Sequence, residues 1–308
     1  MSVQHLIELG DACRKSKDYL GAIPCYLHAL EAEPDHGQAL LGLAAAHRGN
    51  HDLAGAIEAL RRYVACQPGN AMALSRLADA CRKIGRADLA LEHYRAALAL
   101  DPRNRHALMG LGGLHHRAHR DQEALVHWEL LLETLPDHVN ILTKVGGIHR
   151  RQRDYEQAMR CFTRALALAP DNPYALIGMA DSLRGMGRSA EAMPLWEKIL
   201  KLDPGNQQVL SRAGDCSLRL GMLAQAHAYF TTCLGLGFHR AALLGLGRVH
   251  RDRGEPAAAV ACYQRILARD PADARTILLR TDTLREWKGP KGALAFLEGQ
   301  RTAHPGLG

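Results

Sequence analysis

Aromatic residues make up only 5% of this 308-residue chain, and no run of eighteen or more apolar residues occurs in it. The first scarcity leaves a core drawn largely from alanine and leucine, the composition of helices packed closely together. The second leaves nothing to cross a bilayer as a helix. The opening MSVQHLIELGDACRK has no basic segment followed by a long apolar stretch, so no signal peptide is read there and the expected location is cytoplasmic. Paired cysteine spacings are missing as well: the eight cysteines, at 13, 25, 66, 81, 161, 216, 233 and 262, include no CxxC. Zinc and disulfide frameworks use clustered or paired thiols, so these are read as small apolar residues in a reducing compartment. A glycine-rich phosphate loop, GxSxG and HExxH are all lacking, and no strand pattern is present to carry them. Neither an enzyme nor a cofactor is expected.

What the chain does have is a ruler. Pro34, Pro68, Pro102, Pro136, Pro170 and Pro204 fall 34 residues apart, and Pro271 and Pro305 resume the step after one residue is lost near Leu234 to Arg240. This gives nine units, about 3–36, 37–70, 71–104, 105–138, 139–172, 173–206, 207–239, 240–273 and 274–307. Within each, place four is Leu or Ile, from Leu6 to Ile277, and place twenty is alanine throughout, from Ala22 to Ala293. Four residues later stands a bulky side chain: Tyr26, Leu60, Tyr94, Trp128, Phe162, Trp196, Phe230, Tyr263 and Leu297. An invariant alanine marks a crossing with no room for more, and the large residue one turn on fills the neighbouring gap.

Apolar residues recur at 74, 77, 78 and 81 and again at 89, 90, 94, 97 and 98, two helical runs separated by Gly85. Gly187, Gly221 and Gly254 hold the equivalent break, and the prolines close each second helix. The pattern resembles the tetratricopeptide repeat family over essentially the whole chain. It departs at place four, where the family's frequent Trp is Leu or Ile, and at place eleven, where Tyr becomes Cys, His, Leu or Ser. The last unit is degraded, with Arg280 and Thr281 at apolar or small places, as suits a cap facing water. The resemblance implies an all-α fold, a right-handed superhelical solenoid of helix-turn-helix repeats spanning 1–308 as a single domain. Its inner wall would be built from first helices, with places two, five, nine, twelve and thirteen facing inward.

Place twelve is Arg14, Arg48, Arg82, His116, Arg150, Arg184, Leu218, Arg251 and Arg285, and place thirteen adds Arg117 and Arg151 among others. Place five is mostly apolar, including Met109 and Ile177, and place two holds amides or rings such as Asn140 and Tyr174. The expected groove therefore has an apolar floor beside a file of guanidinium groups, each a planar fork for carboxylate or phosphate. The same residues have a plain structural reading. Asp at place nine and Arg at place twelve form a weak intrahelical pair of about 0.3 kcal/mol, and a basic last turn suits the helix dipole. Units two, four and five have Ala45, Gly113 and Gly147 at place nine, so Arg48, His116, Arg117, Arg150 and Arg151 are expected to form the most cationic stretch.

The carboxylate clamp of some family members requires Asn at place nine, which no unit has, and Asn140 alone makes no asparagine ladder. His115 and His119 stand four apart on one helix, but place eleven faces the packing between helices and no third ligand is spaced to join them, so no metal is expected. Nucleic acid is disfavoured by a modest net charge of +7 and by the scarcity of inward rings for stacking. The functional expectation is a non-catalytic scaffold or adaptor that binds an acidic or partly apolar peptide segment or helix of a partner protein. A targeting or regulatory module of a larger enzyme or assembly, and a self-associating scaffold, stay open as alternatives.

Overall fold

The computed structural model describes residues 1–303, and all regular structure among them is α-helical. Pro305, the last mark of the ruler, lies outside the described residues. The chain divides into two compact units, Met1–Ile141 and Leu142–Gly308. The first holds α1 (Val3–Lys15), α2 (Tyr19–Ala32), α3 (Gly37–Gly49), α4 (Leu53–Cys66), α5 (Ala71–Lys83), α6 (Ala87–Leu100), α7 (Arg105–Arg117) and α8 (Asp121–Thr134). The unit boundary falls inside α9 (Val139–Arg151). The second holds α10 (Tyr155–Leu168), α11 (Pro173–Gly185), α12 (Ser189–Leu202), α13 (Gln207–Arg219), α14 (Leu223–Gly235), α15 (Arg240–Asp252), α16 (Pro256–Leu267) and α17 (Ala274–Ala303). No helix among the described residues is long and apolar enough to cross a membrane.

Local signals set the helix ends. Asn70, Asn104, Asn172 and Asn206 each accept a hydrogen bond from the backbone two residues into their first helix, as do the His36 and His239 rings. Asp18, Asp52 and Asp154 cap second helices in the same way. At place fifteen the backbone turns left-handed in the first eight repeats. Gly85, Gly187, Gly221 and Gly254 do this without a side chain, but Lys17, His51, His119 and Arg153 adopt the same positive φ of 57–65°. The six-residue loops that follow, such as Asp18 N–H to Cys13 C=O at 2.8 Å and Arg86 N–H to Cys81 C=O at 2.9 Å, satisfy the last carbonyls of each first helix. In α17 the left-handed residue is Gly289, followed by Pro290, so the last repeat is a broken helix.

Within each unit, consecutive helices pack on one another, and successive first helices also touch, as α1 does α3, α5 does α7 and α13 does α15. The place-twenty alanines are 0–1% exposed from Ala22 to Ala259. The bulky residues four places on are buried from Tyr26 to Tyr263, whereas Leu297 of the last repeat is exposed. The rings of repeats one, five and seven lie against glycines of their own repeat and of the next, Tyr26 against Gly10 and Gly42, Phe162 against Gly146 and Gly178, and Phe230 against Gly214 and Gly245. A Cβ on Gly214 would come within 2.6 Å of Phe230, and one on Gly245 would fall inside the same ring.

That second contact exposes a longer period. Place six reads Glu8, Gly42, Arg76, Gly110, Lys144, Gly178, Arg212 and Gly245, so charged residues and glycines alternate from one repeat to the next. The glycines receive the rings of the preceding odd repeats: Tyr26 on Gly42, Tyr94 on Gly110, Phe162 on Gly178 and Phe230 on Gly245. In the second unit the alternative arrangement places the Arg212 guanidinium over the Trp196 ring, 5.8 Å from its centroid. Gly113 and Gly147, by contrast, face open space, so the close approach that explains Gly112 beneath Trp128 does not apply to them.

Candidate functional site

In repeats one and three the place-nine aspartate, place-twelve arginine and place-24 tyrosine form one closed unit. Tyr26 Oη donates to Asp11 Oδ1 at 2.6 Å, and Arg14 reaches that same oxygen at 3.0 Å and the tyrosine hydroxyl at 3.4 Å. Tyr94, Asp79 and Arg82 repeat the pattern at 2.6, 3.2 and 3.3 Å. Burial works against the Asp11 charge, but hydrogen bonds from Tyr26 and Arg14 outweigh it and hold the carboxyl below its usual range. Burial and the bond to Asp11 push the Tyr26 hydroxyl up to about 12. Arg14 and Arg82 are thus engaged within their own repeats.

The first unit carries a pocket of about 290 Å³ beside the second of these triads. Its floor is Leu41, Ala44, Ala45, Leu53, Ala56, Leu60 and Met109, and its rim is Arg48, Arg76, Arg82 and Lys83 with Asp79. Asp79 is committed to Arg82. Arg48, Arg76 and Lys83 are exposed and have no ion pair among the described residues. Arg117, on α7, is likewise exposed, and His116 bonds Asp121 at 3.0 Å and leans on Trp128.

The second unit has a different arrangement. Asp181, with its side chain 2% exposed, is met by Arg150 at 3.5 Å, Arg184 at 3.4 Å and Arg212 at 3.1 Å, from three successive repeats. Arg184 also reaches Asp215 at 3.5 Å, and Asp215 holds Arg219 at 3.1 Å. Burial lowers the Arg212 pKa despite the pull of Asp181, and Arg184 and Arg150 act in the same direction as burial. Arg251 grips both oxygens of Glu286 at 3.0 Å, and Arg285 pairs with Asp282 at 3.1 Å. Arg150, whose own repeat has Gly147 at place nine, therefore takes its counter-charge from the next repeat.

The remaining expected groove residues are distributed as follows. Met109 lines the first-unit pocket, while Asn140 is exposed beside Pro136 and His138. Tyr174 is 75% exposed, Ile177 is half-buried against the α11–α13 core, and Arg151 is exposed on the last turn of α9. Arg48, His116 and Arg117 belong to the first unit, and Arg150 and Arg151 to the second. Arg76 and Arg212 were not singled out from the sequence; the signal that finds them is the alternation at place six, visible only when the chain is compared with itself at 68 rather than 34 residues.

His115 is buried and stacks on His127 with ring centroids 5.5 Å apart, while His119 occupies the left-handed turn. Among the described residues no three His, Cys, Asp or Glu side chains gather as metal ligands, and no two cysteines are joined in a disulfide.

The tetratricopeptide repeat model matches residues 7–71, 75–139 and 177–232, together more than half of the sequence. The chain belongs to the tetratricopeptide repeat family. Further models of the same repeat match residues 149–195 and 240–282. No curated protein matches the sequence. Among solved structures, this tetratricopeptide repeat protein is similar to one from Parabacteroides merdae ATCC 43184, with a TM-score of 0.54 at 19% identity over 80% of this chain and 98% of that one. It is similar to MamA with a TM-score of 0.50 at 24% identity, over 52% and 94% of the two chains. It is also similar to YrrB, a tetratricopeptide repeat protein with an unusual peptide-binding site, with a TM-score of 0.58 at 20% identity over 61% and 97%. These likenesses establish the shared repeat fold.

Proposed function

We propose that this chain is a non-catalytic scaffold whose first helices hold an acidic, partly apolar segment of a partner protein. The observation that carries the reading is the first-unit pocket. Its floor of leucine, alanine and Met109 side chains takes a bulky apolar side chain, and Arg48, Arg76 and Lys83 stand on its rim without acidic partners among the described residues. Unpaired guanidinium and ammonium groups beside an apolar floor select an apolar anchor flanked by carboxylates, because each carboxylate adds a charge-assisted bond and steers the encounter. A peptide site on the same repeat fold, as the YrrB description states for that protein, supports this class of ligand.

The test follows from which arginines are free. Reversing Arg82 would leave Asp79 without its cation, and reversing Arg150 or Arg184 would set a second carboxylate against buried Asp181, so either change disturbs folding as well as binding. The triple variant Arg48→Glu, Arg76→Glu and Lys83→Glu leaves those pairs intact. Titrated with a pool of Asp/Glu-rich peptides each carrying one leucine or phenylalanine, the parent chain should bind with an affinity that weakens as salt is added. The variant should lose binding while keeping its far-UV circular dichroism. Equal affinity in the two proteins would overturn the reading.

A further inference from the structure

A second pocket, of about 390 Å³, lies wholly within the second unit and shares no residue with the first. Arginines reach it from four helices: Arg184 from α11, Arg212 from α13, Arg240 and Arg248 from α15, and Arg275 from α17. Three carboxylates stand nearby, and each is already committed. Asp181 serves Arg150, Arg184 and Arg212, while Asp215 serves Arg184 and Arg219. Asp273 receives Arg240 Nε at 2.6 Å. Arg248 and Arg275 line the pocket, are exposed, and have no acidic partner among the described residues. The cluster therefore holds more guanidinium charge than its carboxylates neutralise.

Ser211 adds an independent observation. It is 7% exposed, lines the same pocket, and its hydroxyl makes no hydrogen bond among the described residues. The rest of the residue is packed away, and the hydroxyl, open to the pocket and without a protein partner, is available to a group that enters there. Two unpaired guanidiniums and one unpaired hydroxyl are thus turned toward one small volume.

We propose that this pocket binds the phosphoryl group of a phosphorylated serine or threonine in a partner protein. A phosphoryl group carries close to two negative charges and three strong acceptor oxygens. It matches both free guanidiniums and the Ser211 hydroxyl together, where a carboxylate would leave one cation uncompensated. Two features select a peptide-borne group over a free ion. Gln208, exposed at place two, offers an amide to a peptide backbone, and Leu244, at place five, lines the pocket with apolar surface that an inorganic anion cannot use. The inference does not depend on the first-unit pocket, since its residues are different.

The experiment uses the full chain and three degenerate peptide pools, alike except for a central phosphoserine, serine or glutamate. By fluorescence anisotropy the phosphoserine pool should bind at least about tenfold more tightly than the serine pool, the gain of one additional charge-assisted contact. The double variant Arg248→Gln, Arg275→Gln should lose this preference with its unfolding midpoint unchanged, both residues being exposed. Ser211→Ala should weaken phosphoserine binding alone. The Arg48→Glu, Arg76→Glu, Lys83→Glu variant should keep the preference, so the two pockets are read separately. Equal binding of the phosphoserine and glutamate pools, or a preference retained by the double variant, would overturn the proposal. Saturation by inorganic phosphate without any preference among the pools would overturn the peptide source.

Discussion

Arg212 Nη1 lies 3.1 Å from Asp181 Oδ2, and this carboxylate also meets Arg150 and Arg184. One nearly water-free anion thus ties together guanidiniums of three successive repeats. Asp181→Asn removes the charge but not the shape, and leaves three cations facing one another. It should cost about 3–5 kcal/mol, the loss seen when one partner of a buried pair is deleted. Asp282→Asn, which removes only an exposed pair with Arg285, should stay within about 0.5 kcal/mol. Urea unfolding midpoints of the two variants check the contrast, and similar losses in both would contradict it.

The stacked pair His115 and His127 ties stability to pH. Burial, together with nearby positive charge, pushes both imidazoles below the ordinary histidine value of 6.5. In a folded state that resists protonation, the stability contribution is fully present above 6.5 and declines as pH falls from there through the lower folded values. The urea midpoint should therefore drop between pH 7.5 and 5.5. The His127→Gln variant should show a shallower drop, because one of the two resisting groups is gone.

Backbone geometry gives two substitutions of opposite sign. His119 holds a left-handed φ of 57° at the turn where Gly85, Gly187, Gly221 and Gly254 serve elsewhere. His119→Gly should stabilise by about 1 kcal/mol through relief of the Cβ–carbonyl clash. Gly110→Ala should destabilise by about 1–3 kcal/mol, since the new methyl would fall inside the Tyr94 ring. Thermal or urea melts distinguish them by sign.

The repeat, its two helices and most of their packing residues were legible in the sequence because each depends on neighbours within a few turns. Alanine at place twenty, a large residue four places on, the glycine breaks and the prolines that close second helices are local choices, and the structure uses them as the pattern implied; the asparagines that cap first helices are equally local, though only the structure brought them out. The triads built on Asp11 and Asp79 were half legible: the Asp–Arg spacing was plain, but the tyrosine that closes them comes from the other helix of the pair. The alternation of glycine and charge at place six was also written in the chain, at twice the interval where the ruler was laid.

What the tertiary structure alone decided is which arginines are free. Asp181 collects cations about one repeat away on either side, and no spacing on a single helix can show that reach. Repeat stacking sets it, through the distance at which one first helix passes the next. So the arginines at place twelve, alike in sequence, separate by position. Arg14, Arg82, Arg150 and Arg184 are held by carboxylates, while Arg48 is joined by Arg76, Arg248 and Arg275 from other places. The sequence by itself determined that these charges line the first helices; only packing in three dimensions determined where a carboxylate was left to meet them, because charge compensation is a property of neighbours in space.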